Sequence, residues 1–191
     1  MGFSEKSVTY FDQPGLDNTE EVLRRAKERA DELGIRAIVV ASTRGETGAK
    51  ASVLFRGFNV VVVTHCTGFG EPGVQELTEE NRQTIEKNGG RILTGTHALM
   101  NVERAIRTRF GTAYPTEIVA QTLRLFGEGM KVAVEIVTMA ADAGLIPIDH
   151  EVLSIGGTDR GADTAIIVQP ANSAKIFDMT IEEIVAKPRT R

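Results

Sequence analysis

Short unbroken apolar runs alternate along this chain with stretches in which apolar residues recur every three or four positions. The runs at 35–41 and 59–65 are built from Val, Ile and Ala with almost no polar interruption, as in strands buried on both faces. A shorter run at 91–94 and two more at 151–156 and 164–169 read the same way. Residues 7–11 predict a short first strand and 175–179 a short last one, followed by a polar tail, 187–191, frayed at its end. Between the strands the spacing turns helical. Val22, Leu23, Ala26, Ala30 and Leu33 form one stripe, capped by the segment 17–20 and ended by Gly34. Further helices are predicted over 47–56, 78–88, 101–109 (capped by Asn101) and from Pro115 to the closing Gly127.

Strand and helix alternate through the first half, so the expected architecture is α/β: a three-layer α/β/α sandwich on a mostly parallel sheet. The glycine-rich loop between 151–156 and 164–169 is too short for a parallel crossover, which makes that pair an antiparallel edge hairpin. No repeat, low-complexity tract or linker divides the sequence, and residues 1–191 read as a single domain. The helix over 129–143 is apolar on almost every face. Such a helix is either central in the fold or buried between subunits. On this ground a homo-oligomer, most simply a dimer, is expected, with burial inside one subunit as the competing explanation.

Composition narrows the function classes. The net charge of −4 gives no electrostatic footprint for nucleic acid. Cys66 is the sole cysteine, which rules out an internal disulfide. No apolar run has the length of a membrane span, and the N-terminus lacks a charged-then-apolar secretion pattern, so a cytoplasmic location is expected.

The candidate chemistry lies where predicted strands end. In open α/β sheets, ligands bind outside the carboxyl ends of the strands. The loops leaving those ends are 42–48, 65–73, 95–98 and 156–164, each rich in Gly, Thr, Ser or His. The first carries Ser42, Thr43, Arg44, Gly45, Thr47 and Gly48 between a buried strand and a helix start, the setting of a phosphate cradle. The second and third supply His65, Gly68, Phe69, Gly95, Thr96 and His97. The fourth holds Gly156, Gly157, Asp159, Arg160, Gly161, Asp163 and Thr164; there Arg160 suits an anion and Asp159 accepts from a hydroxyl or ring N–H.

Several familiar motifs are excluded. The string 68–73 matches G-x-G-x-x-G, but Pro72 keeps its third glycine out of a helix. The segment 45–50 is too short for a P-loop, and Lys50 does not follow glycine. No G-x-S-x-G elbow occurs, and the sequence shows no activation of Cys66 as a nucleophile. His65 and His97 lack short metal-ligand spacing, so no metal is expected. A metal-assisted hydrolase on His65, His97 and Asp163 is retained only as a lesser alternative.

The stretches 41–48 and 155–165, together with 129–137 and 140–144, carry a family resemblance over nearly the whole chain. They resemble a stand-alone family similar to the C-terminal, effector-binding domain of pyruvate kinase. The resemblance implies that Ser42, Thr43 and Thr47 match the loop that surrounds a sugar phosphate there, and that 156–164 matches the second effector loop. It further implies flavin mononucleotide (FMN) in the corresponding cleft. It implies no kinase activity, because no catalytic barrel is present. The expected partner is therefore a flavin or another phosphorylated small molecule, turned over in redox chemistry or sensed by a non-catalytic regulatory module.

Overall fold

The computed structural model describes residues 2–190. Its strands are β1 (Thr9–Phe11), β2 (Ala37–Ala41), β3 (Asn59–Val63), β4 (Arg91–Leu93), β5 (Val152–Gly156), β6 (Thr164–Gln169) and β7 (Thr180–Pro188). Its α-helices are α1 (Thr19–Leu33), α2 (Glu46–Leu54), α3 (Glu79–Lys87), α4 (Asn101–Phe110), α5 (Pro115–Leu123) and α6 (Glu128–Asp142). The strands form one sheet in the order β1-β7-β6-β5-β2-β3-β4. Neighbours β2/β3, β3/β4, β2/β5 and β1/β7 are parallel, whereas β6 runs against both β5 and β7. The sheet is thus mostly parallel and mixed, as the alternating pattern predicts.

The apolar runs are continuous because both faces of the central strands are covered. Side chains alternate across a strand. Ile38, Val40, Val60 and Val62 face α1 and α2, packing with Val22, Leu23, Ala26, Ala51 and Phe55. Val39, Val61 and Val63 face α6, packing with Met130, Ala133, Val137 and Ala140. Twelve residues of α6 are buried. The apolar surface of this helix is therefore used up within one chain, and it no longer argues for a subunit contact.

The central register aligns the strand ends. Ala41 pairs with Val63, Val63 with Leu93, and Val40 with Ile155, so β2, β3, β4 and β5 finish at one edge. Between α6 and β5 the approach is backbone to backbone: a Cβ on Gly156 would stand 2.4 Å from Gly129 O and 2.9 Å from Ala133 N.

The C-terminal part departs from expectation. Residues 173–178 form a 3₁₀ turn rather than a strand, and the polar segment after it is the nine-residue β7. The sequence conceals β7 because its first residues are exposed, so Glu and Lys interrupt the pattern. It is held between β6 on one side and β1 on the other, and Arg29 of α1 donates Nε and Nη2 to Glu183 at 2.7 and 2.5 Å. Asn101 does not cap α4; its Nδ2 donates to Cys66 Sγ at 2.8 Å, and Met100 holds the cap position. No helix among the described residues is long and apolar enough to cross a membrane.

Overpacking a close backbone contact costs about 1–3 kcal/mol. Gly156→Ala should lose stability in that range in urea unfolding, whereas Gly70→Ala, with open space around it, should not.

Candidate functional site

A cleft of about 640 Å³ opens at the carboxyl edge of the sheet. One wall is the β2–α2 turn, with Ser42, Thr43, Arg44 and Thr47. This turn stands at a helix start, where the first N–H groups lack intrahelical acceptors and the helix end is partly positive. Ser42 braces it from within, its Oγ accepting from Gly48 N at 3.0 Å. The opposite wall is the β5–β6 loop, with Gly157, Asp159, Arg160 and Gly161. His65, Phe69 and His97 line the cleft between these walls.

Other predicted residues serve the walls rather than the lining. Gly45 has φ 100° and sits against α3; a Cβ there would meet Asn81 and Leu77 side chains at 2.5 and 2.6 Å. Gly48 lets α2 approach Val62 of β3, and Gly156 lets α6 approach β5. Asp163 and Thr164 are fully buried. Asp163 Oδ2 accepts from Gly15 N at 3.0 Å and Thr158 N at 3.1 Å, while Oδ1 accepts from Thr164 Oγ1 at 2.8 Å. Thr19 Oγ1 accepts from Ala162 N at 3.0 Å. These bonds tie the β5–β6 loop to the segment before α1. They turn Asp163 inward, so the constellation of His65, His97 and Asp163 is not assembled. Among the described residues, no group of three or more His, Cys, Asp and Glu side chains is placed to hold a metal ion. Gly68 lies in the loop after β3, outside the lining, and Gly95 and Thr96 line a separate cavity of about 440 Å³. His97 lines both spaces.

The floor of the cleft comes from α6, the most apolar helix. Lys131 and Glu135, both 1% exposed, lie on successive turns of it and line the cleft. Lys131 Nζ donates to Glu135 Oε2 at 2.5 Å, and Leu99 N donates to Glu135 Oε1 at 2.8 Å. His97 Nδ1 is 3.4 Å from Glu135 Oε2 but is not hydrogen-bonded to it, and neither ring nitrogen of this buried histidine has a partner. Burial opposes charge on Glu135, yet His97 and Lys131 together outweigh it and hold the carboxyl well below the usual range. His65 Nδ1 is 2.9 Å from Glu76 Oε2. Burial pushes His65 down against the pull of Glu76, and His97 pushes it further, which favours a neutral ring at pH 7. The His65 and Phe69 rings lie 3.8 Å apart at 31°.

A family model described as "Pyruvate kinase, alpha/beta domain" matches residues 20–168. The chain belongs to that family. The matched span contains all four strand-end loops and the floor helix. It leaves out β1 and β7, the two strands that complete the sheet beyond β6.

Sequence inspection places the walls but misses Lys131, Glu135, Glu76 and Thr64 in the lining. Lys131 and Glu135 had one available signal. They are an i,i+4 charge pair inside a helix otherwise too apolar to carry one.

Removing one partner of a buried pair leaves a charge uncompensated, at about 3–5 kcal/mol. Glu135→Gln should cost that much in urea unfolding. Lys131→Met in the same chain should restore most of it, since Gln retains an acceptor for Leu99 N. The depressed carboxyl fixes the sign of the pH effect. Its stabilisation is full above its ordinary value of 4.5 and is lost as pH falls towards about 2. Comparing wild type with the double variant across that window checks this slope.

Proposed function

We propose that this chain binds a phosphorylated small molecule in the 640 Å³ cleft, and that the ligand is FMN. The observation that carries the reading is the β2–α2 turn, whose hydroxyls and helix start face Arg160 across the cleft. N–H groups at a helix start suit a phosphate, and a guanidinium adds a planar, charge-assisted clamp. The cleft volume falls within the range of about 300–1,000 Å³ usual for small-molecule and cofactor sites.

The residues present fit FMN. Thr43, Thr47 and Arg160 would hold its phosphate, and the stacked rings of Phe69 and His65 would face its ring. His97 brings an unpartnered, buried ring nitrogen to the same space. When bound, FMN supplies one- or two-electron redox chemistry. The chain's own part is to anchor the phosphate, exclude water from the ring and fix the charges of the floor. The cytoplasmic location stays part of this reading. A homo-oligomer stays part of it on a new footing, the exposed apolar side chains Ile118, Leu125 and Phe177, which are 62%, 70% and 85% exposed.

Each hydrogen bond to a charged acceptor is worth about 1.5–3 kcal/mol. Thr43→Ala with Thr47→Ala should therefore weaken both inorganic phosphate and FMN at least tenfold in calorimetric titration. Arg160→Lys should weaken them nearly as much as Arg160→Ala, because the planar fork is lost. Wild-type affinity in the threonine double variant would remove the turn from the site, and FMN absent from purified protein and failing to bind would remove the flavin.

Light scattering tests the oligomer. A species of at least twice 20.7 kDa is expected, and a lone 20.7 kDa species at micromolar concentration would remove that part of the reading.

A further inference from the structure

On the floor of the cleft, several hydrogen-bond donors are left without a bond. The Lys131 ammonium has three N–H groups, and its bond in the structure goes to Glu135 Oε2. An imidazole carries at least one N–H in any protonation state, and neither His97 nitrogen is paired. Glu135 Oε1 already accepts from Leu99 N and Oε2 from Lys131, which leaves each oxygen at most one lone pair for a further bond. The remaining ammonium protons and at least one imidazole proton thus make no hydrogen bond among the described residues. Buried polar groups are almost always satisfied, by water, protein or ligand. These donors sit beside a cluster of aromatic rings, with Phe69 and His97 centroids 5.7 Å apart and His65 and His97 centroids 5.5 Å apart.

We infer that this floor recognises the carbonyl-bearing edge of a planar heterocycle, with Lys131 and His97 donating to its oxygens while the phosphate sits at the β2–α2 turn. The inference rests on the FMN reading, since a flavin ring has such an edge at the end remote from its phosphate. Glu135 is a positioning residue. It holds the ammonium by a direct bond, and its charge compensates Lys131 so that the floor can be buried before a ligand arrives. An edge presenting an amino group there would set donor against donor and be rejected.

The test is titration of FMN, followed by flavin fluorescence and visible absorption, into wild type, His97→Ala and the double variant Lys131→Met/Glu135→Gln. Inorganic phosphate is titrated into the same three proteins by calorimetry. The expected result is FMN binding weakened about tenfold or more in each variant, the scale of a lost buried hydrogen bond, with phosphate affinity unchanged. The absorption maximum of bound FMN should also shift, which a merely structural change would not produce. His97→Ala carries the test should the double variant not fold. Equal FMN affinity and an unshifted spectrum in His97→Ala would overturn the inference and leave the FMN reading standing. Phosphate binding without FMN binding in wild type would instead sink the flavin reading, and this inference with it.

Discussion

A parallel strand cannot be joined to its neighbour by a tight turn, and the site depends on that constraint. The chain must cross back over the sheet between β2 and β3, between β3 and β4, and between β4 and β5. Each strand therefore ends at the same edge and begins again at the other. The register is matched closely enough that Ala41, Val63 and Leu93 finish side by side, with Gly156 next to them across β2. Loops leaving those ends have nowhere else to go. Their convergence follows from topology, and their Gly, Thr, Ser and His content follows from lining a space where no core is packed.

Covering the second face of that sheet imposes the next condition. The helix that does so, α6, must be apolar almost all round, because the sheet lies under one face and α5 with the turns at 124–126 and 173–178 packs against its other sides. Its first turns nonetheless project past the strand ends into the cleft. Lys131 and Glu135 occupy those turns, and their mutual neutralisation lets charged groups sit in a helix that could not bury either one alone. The same pair fixes the chain beyond β4, since Glu135 also receives Leu99 N. One helix thus supplies core on one stretch and polar floor on another.

Much of this was readable in advance, for reasons that differ by element. β2 and β3 are legible because strands buried on both faces have no polar positions to blur the pattern. The walls are legible because glycines and hydroxyls cluster at strand ends. Asp163 is the instructive misplacement. An acidic residue in a glycine-rich loop looks available, yet it is spent on Thr158 and Thr164 close by and on Gly15, which is 148 residues away. β7 is unreadable because a strand whose first third is exposed, with only two buried residues, has no apolar signature. The approach of His97 to Glu135, 3.4 Å, is between the loop after β4 and α6, and only tertiary structure brings those two together.

The pairing of β1 with β7 has a mechanical meaning. The two strands are parallel, with Thr9 beside Ala186 and Phe11 beside Pro188, and Arg189 N continues the ladder by donating to Phe11 O at 2.8 Å. The chain enters β1 at one end of this seam and leaves β7 at the other. Tension applied through the two ends therefore slides the strands along each other, so the bonds of the seam share the load together and do not open one after another.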